Sequence, residues 1–339
     1  MPVTIKDLAQ ELRLSVATIS KALKDSYEIS AETKQRVLEL AHRLHYVPNP
    51  YASSLRKGSS KTIAVVVPEV ADSFFALSIN GIESVAREKG YHVLIYQTHE
   101  QGEREQAILQ AFHNGRVDGV LLSVSGDAAG TDHFEELCAN DVPLVFFDRV
   151  CTTVAAARVQ TDDQVSGYMA TQHLLEAGCK RIAVLAADKQ LSIISDRIAG
   201  FEAAIAESAS PRGKHTVLYC DAAEENAYGQ LVTLLQGSDR PDGIIGLVES
   251  LALLAYKACN ALQLSIPRDV KVMGFSNTKA AALLQPSLTT ITQPAFDMGR
   301  QAAILLFKAL QKSHFSLKEE WHVLPSVLEK RASTGSGDA

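Results

Sequence analysis

The chain has 339 residues, 46% of them hydrophobic and 21% charged, with a formal net charge of −6. That length suits two or three domains, and that apolar fraction can fill real cores, which excludes a disordered chain. No run of about 18 apolar residues occurs, which excludes a helical membrane span, and the charged start MPVTIKDLAQELR lacks the apolar stretch of a signal peptide, so a cytoplasmic protein is expected.

The average charge conceals an asymmetry. Residues 1–61 hold ten Lys/Arg against six Asp/Glu, a balance of +4, which leaves −10 for the rest. Phosphate neutralisation is local, so a small cationic module can bind nucleic acid while an acidic body repels it. Three short helices are predicted in this segment. Thr4 precedes IKDLAQEL, and Asp7 three residues later approximates a capping box. Ile5, Leu8, Ala9 and Leu12 share one face. Ser15 caps VATISKAL, with Val16, Ile19, Ala22 and Leu23 at helical spacing, and only Arg13 and Leu14 separate the two helices. That is the connection of a helix-turn-helix, with Arg13 where glycine is frequent. Ser30 opens AETKQRVLELAHRLHY, whose expected inner face is Val37, Leu38, Ala41 and Leu44.

In such a motif the second helix enters the major groove by its N-terminal end. Its expected outward residues are Ser15, Val16, Ala17, Thr18, Ser20 and Lys21. Hydroxyls reach phosphates, Val16 and Ala17 suit thymine methyls, and Lys21 can donate to guanine. A three-helix protein-interaction module carries similar caps, and on the helices alone it stands as an alternative. The next stretch, YVPNPYASSLRKGSSK, has Pro48 and Pro50 to stop the third helix and Gly58, Ser59 and Ser60 as a flexible joint. PYASSLR allows one or two helical turns, too few to order without a partner chain and DNA. Leu55, exposed on such a turn, suits a wedge between base steps in the minor groove.

Further on, apolar runs alternate with amphipathic segments. TIAVVVP (62–68), YHVLIYQ (91–97), GVLLSV (119–124) and PLVFFD (143–148) are expected strands, with helices near 74–89 and 103–114. A second set comprises RIAVLAA (181–187), TVLYC (216–220), GIIGLV (243–248) and VKVMGFS (270–276). Short apolar strands separated by helices imply parallel sheets covered on both faces, and two such sets imply two lobes with a cleft at their strand ends. The five cysteines, Cys138, Cys151, Cys179, Cys220 and Cys259, show no CxxC pair and are expected to be buried thiols, neither disulfides nor a zinc site.

TIKDLAQELRLSVATISKAL followed by YVPNPYASSLRKG resembles, in order and spacing, the headpiece and hinge of the LacI/GalR family of bacterial transcriptional repressors. The likeness continues through DSFF, GIE, RVDGVLL, PLVFFDR, DRIAGF, VMGFS, PSLTTITQP and LEKRAST, so it covers nearly the whole chain. It implies an α/β protein: an N-terminal three-helix helix-turn-helix headpiece and a two-lobed, periplasmic-binding-protein-like body with parallel sheets and three crossovers. The expected parts are a headpiece over 1–46, a hinge helix and linker over 47–61, a first lobe over 62–161 and 292–322, a second lobe over 162–291 and 323–330, and a flexible tail over 331–339.

The implied partners are a double-stranded, pseudo-palindromic DNA operator, a second copy of the chain, and a sugar or sugar-derived effector. No cofactor, metal or membrane partner is expected. The candidate DNA contacts are Thr4, Ile5, Ser15, Val16, Ala17, Thr18, Ser20, Lys21, Ser30, Thr33, Asn49, Ala52, Ser53, Leu55 and Arg56. The candidate effector residues are Asp72, Phe74, Phe75, Ser123, Asp148, Arg149, Arg197, Glu249, Ser276, Asn277 and Gln293. In the family, the positions matching Asp72, Phe74, Phe75, Asp148, Arg149, Arg197 and Gln293 line the effector site. Two departures stand out: Val248-Glu249 replaces a frequent Asn-Asp pair, and Ser276 replaces a frequent Asp. Either the effector is less hydroxylated than a monosaccharide, or Glu249 or Asn277 substitutes, or the small-molecule response is weak. The alternative reading is a ligand-binding α/β protein or an enzyme whose N-terminal helices bind protein. Against the enzyme, the chain has no G-x-G-x-x-G after its first strand, no G-x-x-x-x-G-K-[ST], no G-x-S-x-G and no H-E-x-x-H.

Overall fold

The computed structural model describes residues 3–46, 59–113, 115–126, 130–187, 191–208, 214–221, 223–311, 316–318 and 320–335. The chain divides into two units, Met1–Ser60 and Lys61–Ala339. No helix among the described residues is long and apolar enough to cross a membrane.

The first unit holds α1 (Ile5–Leu12), α2 (Val16–Leu23) and α3 (Ala31–Arg43) around a core of Leu8, Ala9, Ile19, Ala22, Val37, Leu40 and Ala41. Leu38, expected inside, is 53% exposed, and Leu40 takes its place. The reason is helical spacing: Leu40 lies three residues from Val37 and four from Leu44, whereas Leu38 is rotated by about 100°. Arg13 ends α1 in the left-handed region (φ 52°), accepting the conformation that favours glycine. The Asp7 carboxylate accepts from the Thr4 N–H (2.7 Å) and the Thr4 hydroxyl (2.8 Å), which lowers its pKa. The hinge candidates Asn49, Ala52, Ser53, Leu55 and Arg56 lie outside the described residues.

The second unit has two sheets. The first runs β11 (Trp321–Leu324), β5 (Ala157–Thr161), β4 (Leu144–Phe147), β3 (Gly119–Leu122), β1 (Thr62–Val67) and β2 (His92–Gln97), all parallel. The second runs β12 (Val327–Glu329), β10 (Thr289–Thr292), β9 (Lys271–Phe275), β8 (Gly243–Gly246), β6 (Ile182–Ala186) and β7 (Thr216–Tyr219), parallel except for β12. The central strands are buried on both faces, which explains their unbroken Val/Ile/Leu runs.

In the first lobe α4 (Ser73–Glu88) and α11 (Ala295–Gln311) cover one face of the sheet, and α5 (Gly102–Gln110) and α6 (Asp132–Ala139) the other. In the second, α7 (Asp163–Glu176) and α8 (Ser192–Glu207) cover one face, and α9 (Glu224–Gln236) and α10 (Glu249–Ala261) the other. The inner helices cross at glycine. A Cβ on Gly81 would stand 2.0 Å from the Phe296 carbonyl, and one on Gly167 would stand 2.1 Å from that of Arg197.

The chain passes between the sheets three times: from β5 into α7, from β10 into α11, and from β11 into β12. The last passage differs from the expected position. Val323 and Leu324 pair with Gln160 and Thr161 in the first sheet, so the change comes after Leu324 and not after residue 322. Part of the expected flexible tail is also packed: Ser333 and Thr334 are buried, and Ser333 Oγ accepts from the Thr289 N–H at 2.8 Å. All five cysteines are free, but only Cys179 and Cys259 are buried; Cys138 near the end of α6, Cys151 in the loop between β4 and β5, and Cys220 just after β7 are half-buried.

Candidate functional site

The headpiece presents a helix N-terminus with a small, hydroxyl-rich surface. Ser15 Oγ accepts from the Thr18 N–H (3.0 Å) and shares a hydrogen bond with the Thr18 hydroxyl (2.9 Å). Ser30 repeats this with Thr33, at 3.3 Å and 2.9 Å. Thr4, Ser15, Ala17, Lys21 and Ser30 are exposed, whereas Thr18, Ser20 and Thr33 are half-buried. Ile5 and Val16 pack partly against the core, so they offer only an edge to a groove. Lys21 forms an ion pair with Glu28. Lys34 pairs with Asp25 at 2.7 Å and Arg43 with Glu11 at 2.5 Å. Lys6, Arg13, Lys24 and Arg36 make no ion pair among the described residues, and neither do Asp7, Glu32 and Glu39, so residues 3–46 carry a small excess of positive charge.

The second candidate site is the cleft between the lobes of the body. Its walls are loops that follow the carboxyl ends of the strands, where open α/β sheets bind ligands. The loop after β1 brings Asp72, Ser73, Phe74 and Phe75; the end of β4 brings Asp148 and Arg149. Facing them stand Ile193 and Arg197 of α8, Val248 and Glu249 after β8, Phe275, Ser276 and Asn277 at β9, and Gln293 after β10. Ten of the eleven effector candidates therefore meet in one cleft. The exception is Ser123, which is fully buried behind Asp148, its hydroxyl 3.5 Å from Oδ2. Sequence reasoning missed Ser73, Ile193 and Phe275 as lining residues; Val248, singled out only as a departure from the family pattern, lines the cleft with them. Their signal was positional: Val248 and Phe275 sit at or just after a strand's carboxyl end, Ser73 opens the helix that follows β1, and Ile193 lies four residues before Arg197 on α8.

Arg197 is the best-anchored polar group. It is 2% exposed, its Nε donates to Asp163 Oδ1 at 2.7 Å, and its Nη1 donates to the Leu247 carbonyl at 2.5 Å. Its guanidinium stacks 4.0 Å from the Phe275 ring centre. Asp163 also accepts from the Thr161 hydroxyl, which accepts from Gln293 Nε2, both at 3.2 Å. Thr161 ends β5, Asp163 begins α7 and Gln293 follows β10, so the buried cation is wired to two of the three segments that pass between the sheets.

Arg149 is held differently. Its Nη1 reaches both oxygens of the half-exposed Glu100 at 2.7 Å, while its Nε stands 3.8 Å from Asp148 and makes no hydrogen bond among the described residues. Asp148 sits in the left-handed region at φ 62°, which turns its carboxyl into the cleft floor. Burial pushes its pKa up to about 7, against the pull of Arg149 and Arg197. Asp72 caps α4 by accepting from the Phe74 N–H (2.8 Å), and burial, with Glu249 nearby, raises its pKa.

The two departures from the family pattern meet each other. Glu249 Oε2 accepts from Ser276 Oγ of its own lobe and from Ser73 Oγ of the first lobe, both at 2.6 Å. Asn277 Nδ2 donates to the Gln293 carbonyl at 2.6 Å, and its Oδ1 is buried with no partner among the described residues. No described group of His, Cys, Asp or Glu is placed to hold a metal ion.

Comparison with known proteins decides the family. Residues 4–49 match the bacterial regulatory proteins of the lacI family, and residues 171–334 match the periplasmic binding protein-like domain. The chain is 31% identical over 335 residues to the ribose operon repressor of Halalkalibacterium halodurans, covering 99% of this chain and 98% of that one. The chain belongs to the LacI family. As a LacI-family protein it is a DNA-binding transcriptional regulator of the repressor type. Among solved structures, a LacI family transcriptional regulator from Enterococcus faecium with bound ribose is 27% identical, with a TM-score of 0.71, over 80% of this chain and 98% of that one. The lac repressor dimer bound to operator and the anti-inducer ONPF shares the fold with a TM-score of 0.83 at 22% identity, over 99% of this LacI-family chain and all of that one.

Proposed function

We propose that the protein is a cytoplasmic repressor that binds a pseudo-palindromic operator as a homodimer and is controlled by a sugar or sugar derivative in the interlobe cleft. One observation carries the ligand half of this reading: Arg197, buried in the cleft wall, is hydrogen-bonded through Asp163 and Thr161 to Gln293, on two of the segments that join the lobes. A ligand that moves the guanidinium strains the crossovers, and a ligand that binds one lobe arrangement better than the other shifts the population between them. The enterococcal relative bound to ribose supports a sugar-like ligand. No enzymatic step is proposed.

For the DNA half, Ser15, Ala17, Thr18, Ser20 and Lys21 read the major groove, Val16 and Ile5 contribute edge contacts, and Thr4, Ser30 and Thr33 meet phosphates. Two chains place two headpieces on two half-sites, because operator symmetry must match protein symmetry. Residues 47–61 serve as the hinge, with Leu55 as a minor-groove wedge. The test removes residues 1–61 and measures operator and ligand binding on both proteins. The full chain binds both; the truncated body keeps the ligand and loses the operator. A body that still binds operator refutes the assignment of DNA reading to the headpiece. Sedimentation showing a strict monomer with full operator affinity refutes the dimer.

A further inference from the structure

Charges and hydrogen-bonding groups in the cleft are out of balance among the described residues. Two guanidiniums, Arg149 and Arg197, stand among five carboxyl groups: Asp72, Asp148 and Glu249 on the walls, Glu100 and Asp163 behind them; with Asp148, whose pKa burial pushes up to about 7, only partly ionised at neutral pH, the anions still outnumber the cations. Arg197 is committed to Asp163, and Arg149 is shared between Glu100 and Asp148. Asp72 and Glu249, one on each side of the cleft, make no ion pair among the described residues; Asp72 feels only the more distant pull of Arg149, which Glu100 and Asp148 already share. Asp72 caps α4 and Glu249 begins α10, so helix N-termini offset part of their charge. The offset is incomplete, since burial and the neighbouring Glu249 still raise the pKa of Asp72.

A second, independent observation concerns acceptors. Asn277 Oδ1 is buried in the cleft wall with no donor among the described residues. Glu249 has its Oε2 saturated by Ser73 and Ser276, while its Oε1 accepts nothing among the described residues. The ligand that completes this site brings donors and positive charge. A hydroxyl brings one donor and no charge. A phosphate or carboxylate brings acceptors and more negative charge. An ammonium brings three donors and the missing cation.

We propose that the cleft takes a ligand bearing a protonated amine, an amino sugar or similar aminopolyol, whose ammonium lies between Asp72 of the first lobe and Glu249 of the second. The proposal rests on the cleft being the ligand site. Ser276, in place of a frequent Asp, holds the Glu249 carboxylate in position. Because the ammonium contacts both lobes, its binding favours the closed arrangement.

The test uses the full chain. Thermal shift and calorimetry compare D-glucosamine, D-galactosamine and D-mannosamine with glucose, galactose and mannose, with the three N-acetylated forms, and with glucose 6-phosphate and glucuronate. At least one amine is expected to bind about tenfold tighter than its parent sugar, the difference between a charge-assisted and a neutral hydrogen bond. N-acetylation is expected to erase that gain, the anions to bind no better than the neutral sugars, and Glu249→Gln to collapse the amine-to-parent ratio. A parent sugar or an anion that binds as tightly as its amine overturns the proposal and leaves the sugar-sensor reading standing. No binding by any member of the panel overturns both. An amine preference that survives both Glu249→Gln and Asp72→Asn overturns the assigned residues.

Discussion

The two lobes of the body use one packing device for two purposes. In each, two helices cross against the sheet beside the cleft, and glycine lets their backbones touch: Gly81 and Gly299 at the α4–α11 crossing, Gly167 and Gly200 at the α7–α8 crossing. In the first lobe the crossing carries Phe74, Phe75 and Ser78, and Ser78 Oγ merely donates to its own helix at the Phe74 carbonyl (2.9 Å). In the second it carries Arg197 and faces it with Asp163. The same close contact therefore stabilises one lobe and aims a buried charge in the other. The two cleft arginines follow suit, Arg197 locked between buried groups and Arg149 tied to a half-exposed glutamate.

Breaking the buried pair gives the largest expected effect. Arg197→Met strands Asp163 in the interior and is expected to cost about 3–5 kcal/mol in urea unfolding. Arg149→Met, whose partner Glu100 reaches water, is expected to cost about 1 kcal/mol. Equal losses would erase the distinction between the lobes. Next in size are the crossings. Gly167→Ala and Gly299→Ala each place a methyl within about 2 Å of a carbonyl, at 2.1 Å and 2.0 Å, and each is expected to cost about 1–3 kcal/mol. Only Gly167→Ala, which displaces the Arg197 backbone, is expected to weaken ligand binding by about tenfold more than it weakens the fold. A matching ligand loss in Gly299→Ala would show that both crossings position the site.

Asp148→Asn sharpens the electrostatic side. With its folded pKa near 7 and its usual value 3.8, Asp148 favours the fold below pH 4, and that contribution is lost as pH rises towards 7. The asparagine variant is thus expected to gain on the wild type by at most about 1.4 kcal/mol per pH unit across that window and to hold level above it. Melting curves of both proteins between pH 4 and 8 check the sign. The smallest effect concerns the exposed counterpart of the Arg197 pair. Glu28→Gln frees Lys21 in the headpiece, with a stability change below about 1 kcal/mol, but is expected to raise operator affinity severalfold and steepen its salt dependence. Unchanged affinity would show that Lys21 does not approach the DNA.

Much of this was legible from residue order. The buried central strands read clearly because parallel sheets covered on both faces demand continuous apolar runs. The strands that escaped notice were β5, β10, β11 and β12: β5 alternates buried and half-buried residues, β11 leaves Trp321 63% exposed, and β12 has only three residues. Short or alternating strands near a sheet's edge carry too little apolar contrast to stand out. Most cleft residues were recovered because a motif or a polar side chain marked them. Ser73 and Phe275 lie inside DSFF and VMGFS yet did not stand out from their neighbours, because nothing in a single serine or phenylalanine announces which way it will face.

Sequence by itself determined the division into a cationic helical module and an acidic two-lobed body, since charge and hydrophobic period are properties of local order. It also determined the helix caps at Ser15 and Ser30, whose partners lie three residues away. Tertiary structure alone decided that Lys21 would meet Glu28, that the last change of sheet would follow Leu324, and that Glu249 would be gripped by one serine from each lobe. Those outcomes depend on residues up to 176 positions apart, brought together by strand order and by the points at which the chain passes between the sheets.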